Sequence, residues 1–496
     1  MFALDDDPET PLFVRLARAI AADVSRGRFR RGDRLPGART LARTLGIHRN
    51  TVAMSYAELE AQGWIVVAQG ARPRIAEDLG AAPRRFGGAP REVMPACAAF
   101  ELGGIVPPAW RPRPHARLEL FGGVPDARLF PREIFVRAYR RVASRAPRSS
   151  WDYTDDPRGH AALREAMARR LGHARALAAT AADVLVTRGS QMALALVADM
   201  LVAPGDAIAV EDPGYLPAWA AFRQRGASLH PIPVDGRGIS IEALAAVASR
   251  ERLRAVYVTP HHQYPSTVSL APARRQELLA LARTHRFAII EDDYDHEFHY
   301  DGRPLLPLAS ADRHGSVIYV GTLSKILAPG LRTGVVVAPK AIIDRLASLR
   351  IALDRQGDPI LEAALAELLE DGEIDRHVRK TTRIYAARRE VLMSELRRAF
   401  GDALEWTVPS GGMALWAKTQ SGVSESIDVD RWCADALARG VLVQPGRGFR
   451  FHRGADPHVR LGFARLEEAE LREAVSILHR AFKTQTAPRG ARSRRA

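Results

Sequence analysis

Lys325 is one of only five lysines in a chain of 496 residues that carries 72 basic side chains. It stands in GTLSKILAPGLRTG, residues 321–334, between Ser324 and the apolar pair Ile326 and Leu327. Arginine would supply the same charge, but a guanidinium does not deprotonate in a protein. A lysine amine does, and the neutral form attacks an aldehyde to make a Schiff base. Other stretches supply what a phosphorylated pyridine aldehyde needs. AIIEDDYDHEF ends an apolar run in acids, and Asp292 within it can pair with a pyridinium nitrogen, keeping the ring an electron sink. Tyr294, two residues on, offers a phenol to the ring oxygen. TRGSQMALAL opens a helix with Gly189, Ser190 and Gln191, whose backbone amides suit a phosphate, and Arg332 adds a guanidinium. Thr322 and Ser324 add hydroxyls, and Tyr215 in EDPGYLP offers a ring to cover one face. These groups make pyridoxal 5'-phosphate the expected cofactor; no metal is expected.

Groups so far apart in sequence need a scaffold to gather them. From about 116 to 482, short apolar runs (DVLVT, DAIAVE, RAVYVTP, FAIIEDD, SVIYVG, TGVVVAP) alternate with helical stretches. Strands covered on both faces by crossover helices read as such continuous runs, so the expectation is an α/β domain with a largely parallel sheet. Asp292 then falls at the carboxyl end of a strand, where these sheets gather their sites. Residues 77–115, with GAAPRRFGGAPREVMPA and VPPAWRPRPHARLEL, are rich in Pro, Gly, Ala and Arg without periodicity and read as a linker. KTQTAPRGARSRRA, 483–496, is polar and basic and is expected to be a disordered tail.

Residues 1–76 have a different pattern. Leu12, Leu16 and Ile20 recur at helical spacing before Gly27, and Leu41 and Leu45 form a second short stripe ended by Gly46. A third helix is expected from Arg49, with Val52, Tyr56 and Leu59 on one face, and WIVVAQGARPRIA should form a hairpin turning at Gly70. Helix, helix, tight turn, helix, hairpin is the order of a winged helix-turn-helix. A recognition helix offers its first turn to the major groove, which here presents Arg49, Asn50 and Thr51. Arg39 and Arg43 on the preceding helix would clamp the phosphate backbone. A net charge of +15 and a pI near 10.4 fit an anionic partner. Two cysteines, Cys97 and Cys433, make no disulfide framework and point to a reducing compartment. The acidic start MFALDDDPET is unlike a signal peptide, and MALALVADMLVA, interrupted by Asp199, is too short to span a bilayer. The expectation is a cytoplasmic protein with no membrane contact.

GDRLPGARTLARTLGIHRNTVAMSYAELEAQGW resembles the GntR family of winged helix-turn-helix regulators, over roughly residues 11–76. His48 departs from the small hydroxyl cap of that family, which predicts a poorly capped recognition helix, and GARPRIA departs from its glycine-threonine wing. EDPGY, VTPHHQYP, IIEDDYD, SK…PGLRTG and VRLGFA resemble the MocR subfamily of GntR regulators. There a fold type I aminotransferase-like α/β domain, with a small α+β subdomain, follows the winged helix. The resemblance implies that Lys325 binds the cofactor, with Asp292 on the ring nitrogen, Tyr294 on the ring oxygen and Tyr215 stacked on the ring. It further implies that His262 or Gln263 stands near the ring oxygen and that Arg460 grips an effector carboxylate. Tyr153, in WDYTDDPRGHAALREAM, matches a tyrosine that reaches the neighbouring subunit's phosphate, which implies a homodimer. Thr267 replaces a glycine turn, which predicts a differently shaped loop, and Pro217 replaces an arginine of members that sense γ-aminobutyrate. The function so implied is a pyridoxal-phosphate-dependent transcriptional regulator that binds a double-stranded DNA operator and senses the cofactor, or an amine or amino-acid effector, through Lys325. The alternative is a catalytically active aminotransferase with an appended DNA-binding domain. Arg49, Asn50 and Thr51 favour the regulator, because a metabolic transaminase has no use for them.

Overall fold

The computed structural model describes residues 10–68, 71–79, 114–154, 156–302, 305–420, 427–452 and 454–486, together with Phe2 and Leu4. Two compact units divide between Gly104 and Ile105. Most of the expected linker, 80–113, and the turn at Gly70 lie outside the described residues.

The first unit holds α1 (Leu12–Ser25), α2 (Ala38–Leu45) and α3 (Arg49–Ala61), then an antiparallel hairpin of β1 (Ile65–Val66) and β2 (Arg74–Ile75). The apolar stripes meet in one core: Leu16, Ile20, Leu41, Val52, Tyr56 and Leu59 are all buried together with Trp64. Two hydrogen bonds fix α3 against its neighbours. Ser55 Oγ donates to the Phe13 carbonyl at 2.8 Å, and Tyr56 donates its hydroxyl proton to the Pro36 carbonyl at 2.6 Å. The cap of α3 corrects an expectation. His48 Nδ1 accepts from the Asn50 backbone N–H at 3.2 Å, so an imidazole nitrogen does the acceptor work of a hydroxyl.

The second unit begins with the short strand β3 (Leu118–Glu119) and builds a large sheet from β4 (Val184–Thr187), β5 (Ala207–Asp212), β6 (Ser228–Asp235), β7 (Gly238–Ile239), β8 (Leu253–Val258), β9 (Ala288–Asp293), β10 (Val317–Thr322) and β11 (Gly334–Val337). Their order is β4-β11-β10-β9-β8-β5-β6-β7. The central strands β10, β9, β8, β5 and β6 run parallel, while β11 is antiparallel to both its neighbours and β7 is antiparallel at the far edge. Each strand sends alternate residues to opposite faces. Ile208, Val210, Tyr257 and Ile290 pack under the helices Ser190–Leu201, Leu216–Gln224 and Lys340–Leu353, whereas Ala209, Val256, Val258 and Ile289 pack with residues of Ile241–Ala248 and Pro272–His285. Burial on both faces explains the unbroken apolar runs of the sequence.

A smaller α+β part follows, with β12 (Leu404–Trp406), β13 (Ala414–Thr419), β14 (Val441–Leu442), β15 (Gln444–Pro445) and β16 (His458–Gly462). Its antiparallel sheet has the order β12-β13-β16-β15, and β14 pairs in parallel with β3. Trp432, Leu461 and Phe463 centre its core, which also takes residues of the helices Glu373–Phe400, Val429–Ala438 and Glu468–Thr486. The last helix corrects the start of the tail, since residues 483–486 are helical and only 487–496 lie outside the described residues. No described helix is long and apolar enough to cross a membrane.

Leu59 is fully buried at the centre of the first unit. Leu59→Ala should lower the stability of that unit by about 2–5 kcal/mol, read as a shift of its urea transition to lower denaturant.

Candidate functional site

Asp292 lies one residue from the carboxyl end of β9 and is almost fully buried. Tyr257, from the adjacent parallel strand β8, donates its hydroxyl proton to Asp292 Oδ2 at 2.8 Å. Oδ1 has no hydrogen-bond partner. Burial pushes this carboxyl up to about 7, with Asp293 adding to the rise and the Tyr257 hydrogen bond and the Lys325 ammonium opposing it. A cationic N–H placed against Oδ1 would satisfy the orphan oxygen and restore the carboxylate, which is what a pyridinium offers.

Lys325 sits three residues past β10, whose Val320 is in register with Asp292 of β9, so both groups reach the same end of the sheet. Burial lowers its ammonium pKa and Arg460 lowers it further, against the pull of Asp295 and Asp292. The neutral amine needed for nucleophilic attack is thereby favoured.

The helix Ser190–Leu201 starts after Gly189 with no side-chain cap, so its first-turn amides are open to an anion. Arg332 Nη2 donates to the Arg188 carbonyl at 3.0 Å, which lays the guanidinium over Gly189. A Cβ on Gly189 would stand 3.1 Å from that guanidinium, and its φ of +77° is one that glycine adopts freely. Thr322 accepts from the Ser324 backbone N–H and donates to the Thr333 carbonyl, while Ser324 Oγ is buried without a partner. Amides, guanidinium and a free hydroxyl together fit a phosphate.

The aromatic wall differs from expectation. Tyr215 begins the helix Leu216–Gln224, to which Gln191 Nε2 is tied by donating to the Pro217 carbonyl at 3.0 Å. Tyr294 donates its hydroxyl proton to the His262 carbonyl at 2.9 Å. The His262 ring turns to Asp295, with Nδ1 and Oδ1 2.8 Å apart, and Gln263 Nε2 bonds the Pro213 and Tyr264 carbonyls and Glu211. His262 Nδ1 and the Gln263 amide N–H groups are thereby engaged, while His262 Nε2 has no partner among the described residues. Tyr264, the next residue, holds the central place instead: its ring is 5.1 Å from Tyr215 and 6.1 Å from Tyr294. The phrase HHQYP carries a signal for it, an aromatic directly before the proline.

Arg460 on β16 is 1% exposed, with its guanidinium 4.3 Å over the Tyr264 ring. Nε donates to the Pro265 carbonyl at 3.4 Å and Nη1 has no partner. A buried guanidinium without a carboxylate is costly, and an incoming carboxylate would complete it. Thr267 keeps the turn that a glycine would make, correcting the expected change of shape. Its φ is +63° and its N–H donates to the Gln263 carbonyl at 2.6 Å, a strained backbone for a β-branched residue. Tyr153 lies apart from this set, exposed beneath the Arg355 guanidinium at 4.1 Å.

In the first unit Arg39 and Arg43 are exposed on α2, and Arg49 and Asn50 are exposed at the start of α3. Thr51 is half-buried, and its N–H donates to the His48 carbonyl at 3.1 Å.

Sheet order, site chemistry and helix-turn-helix define a class: a DNA-binding winged helix fused to a pyridoxal-phosphate-binding, aminotransferase-type domain. The family of class I and II aminotransferases matches residues 135–478, and the gntR family of bacterial regulatory proteins matches residues 12–75. The kynurenine aminotransferase of Pyrococcus horikoshii, solved in complex with PMP, superimposes with a TM-score of 0.69 at 29% identity, covering 75% of this chain and 92% of that one. The probable rhizopine catabolism regulatory protein MocR of Rhizobium meliloti is 30% identical over 97% of this chain and 96% of its own. The transcriptional regulator TauR of Rhodobacter capsulatus is 32% identical over 95% and 96%. The chain belongs to the MocR subfamily of GntR-type transcriptional regulators.

For protein prepared without cofactor, the folded pKa of Asp292, about 7, lies above its unfolded value of about 3.9. Its contribution to stability is then fully present below about pH 4 and is lost as pH rises through about 7. Relative to Asp292→Asn, wild type should lose stability across that window in urea titrations at a series of pH values. A constant difference would show that the carboxyl is not sealed from water.

Proposed function

We propose that this chain is a cytoplasmic homodimer that binds a double-stranded operator through α2 and α3 and adjusts that binding to the state of the Lys325 amine. One observation carries the regulator over the transaminase: Arg39, Arg43, Arg49 and Asn50 stand exposed on a capped, packed helix-turn-helix that amino-group transfer does not need. Arg49, Asn50 and Thr51 would meet base edges or phosphates, with Arg39 and Arg43 holding register on the backbone.

Pyridoxal phosphate, when bound, supplies an aldehyde and an electron-withdrawing pyridine ring. Asp292 Oδ1 would take the ring N–H, and Tyr294 would present its phenol to the ring oxygen. Gly189, Ser190 and Gln191 would give backbone amides to the phosphate, joined by Thr322, Ser324 and Arg332. Tyr215 would cover one face. Arg460, which has no ion-pair partner among the described residues, would take the carboxylate of an amino-acid effector whose amine competes with Lys325. A Lys325 amine freed of the cofactor would stand in a buried site beside Arg460, Asp295 and Asp292, which changes the group that those charged side chains face. A change of that kind biases a two-state protein when its two forms differ in DNA affinity. Tyr153, exposed with Trp151, Ile351 and Leu353, supports a face that a second copy would cover.

With an operator selected in vitro, Arg49→Ala should weaken binding by about 10–100-fold while the visible absorption of the bound cofactor persists. Lys325→Ala should abolish that absorption. Unchanged operator affinity in the first variant, or retained colour in the second, would contradict the proposal.

A further inference from the structure

Three histidines gather at the Tyr264 loop with ring nitrogens that the site described above leaves unused. His261 and His262 follow β8, and His299 follows β9; one ring nitrogen from each lies within 4.8 Å of the others. His261 is 4% exposed and His262 is 1% exposed. Both nitrogens of His261 and Nε2 of His262 are buried without a hydrogen-bond partner among the described residues, and the His299 ring is half-buried. Buried polar atoms are nearly always satisfied, so orphan nitrogens facing one another point to a shared ligand.

We propose that His261, His262 and His299 form a binding site for a divalent transition metal ion of the zinc type. The donor chemistry fits. Three neutral imidazoles with no thiolate suit Zn²⁺, Co²⁺, Ni²⁺ or Cu²⁺, and they leave a fourth position for water. Asp295 Oδ1 lies 2.8 Å from His262 Nδ1, and with the proton on Nδ1 the unpartnered Nε2 keeps a lone pair for a metal. A carboxylate behind an imidazole is how metal-ligating histidines are commonly oriented. Donors at about 2.0–2.1 Å from a zinc ion stand closer together than 4.8 Å, so the three rings would draw together on binding.

The backbone makes room for this cluster at one point. Gly411 bridges His299, and a Cβ there would stand 2.5 Å from His262 Nε2. A metal would thus clamp the loop after β8 to the segment after β9 where that segment meets Gly411. Tyr294 donates to the carbonyl of His262 itself, and Tyr264 lies two residues further along the same loop. Metal occupancy would therefore set the position of two aromatic residues of the cofactor site; this consequence, unlike the metal site, rests on the proposed role of those residues.

The test uses full-length, cofactor-loaded protein stripped of metal with a chelator and titrated with Co²⁺, then Zn²⁺. The expected result is one Co²⁺ per chain, with visible d–d absorption that Zn²⁺ abolishes. His299→Ala should bind Co²⁺ at least about 10-fold more weakly and keep the cofactor band. Should that variant fail to fold, His261→Gln with the wild-type titration decides the matter. Lys325→Ala separates the two sites, because it should lose the cofactor band and keep the Co²⁺ signal. Absence of stoichiometric Co²⁺ binding in wild type, or undiminished binding in both histidine variants, would overturn the site.

Discussion

A carboxylate sealed at the end of a strand, one oxygen bonded and the other bare, governs the larger unit. Asp292 is buried, Tyr257 bonds Oδ2, and Oδ1 has no partner among the described residues. Left alone, such a group resists ionisation, so the site favours a partner that brings both a proton and a positive charge. The rest of the domain is arranged to deliver that partner in one orientation. The parallel strands β8, β9 and β10 place Tyr257, Asp292 and the Lys325 turn at one sheet end, and the open helix start after Gly189 has the Arg332 guanidinium laid over it, an arrangement that would suit an anion.

Arg460 repeats the same physics with the opposite sign. It is a buried guanidinium stacked on Tyr264, with Nη1 unpartnered. A carboxyl and a guanidinium that each keep an unpartnered atom would suit a ligand set with a protonated ring on one side and a carboxylate on the other. Such a site can serve chemical turnover or sensing, and the chemistry in this unit does not distinguish them. The exposed polar start of α3 in the other unit does.

Much of this was legible in the sequence because the groups sit where local pattern is strong. Asp292 ends an apolar run and Lys325 is a lysine in an arginine-rich chain, so type and context agreed. The strands read correctly because burial on both faces leaves no polar alternation to confuse them. What stayed hidden depends on contacts between distant residues. His262 and Gln263 looked suited to a ring oxygen by position, but Asp295 and Glu211, each more than thirty residues away, turn them elsewhere and leave Tyr264 in place. The His48 cap and the Thr267 turn were misjudged from residue type alone, since an imidazole nitrogen can accept like a hydroxyl and a packed loop can hold a β-branched residue at positive φ. The extra helical turn before residue 487 was missed because Lys483 and Thr484 are polar, although Phe482 and Ala481 before them anchor the helix in the core.

The central claim, that Asp292 holds a protonated ring, is open to one direct measurement. Pyridoxal phosphate labelled with ¹⁵N at the ring can be bound to the protein and its nitrogen shift followed by NMR near neutral pH. The account predicts the shift of a protonated pyridinium in wild type and of a neutral pyridine in Asp292→Asn. A neutral ring nitrogen in wild type would contradict it.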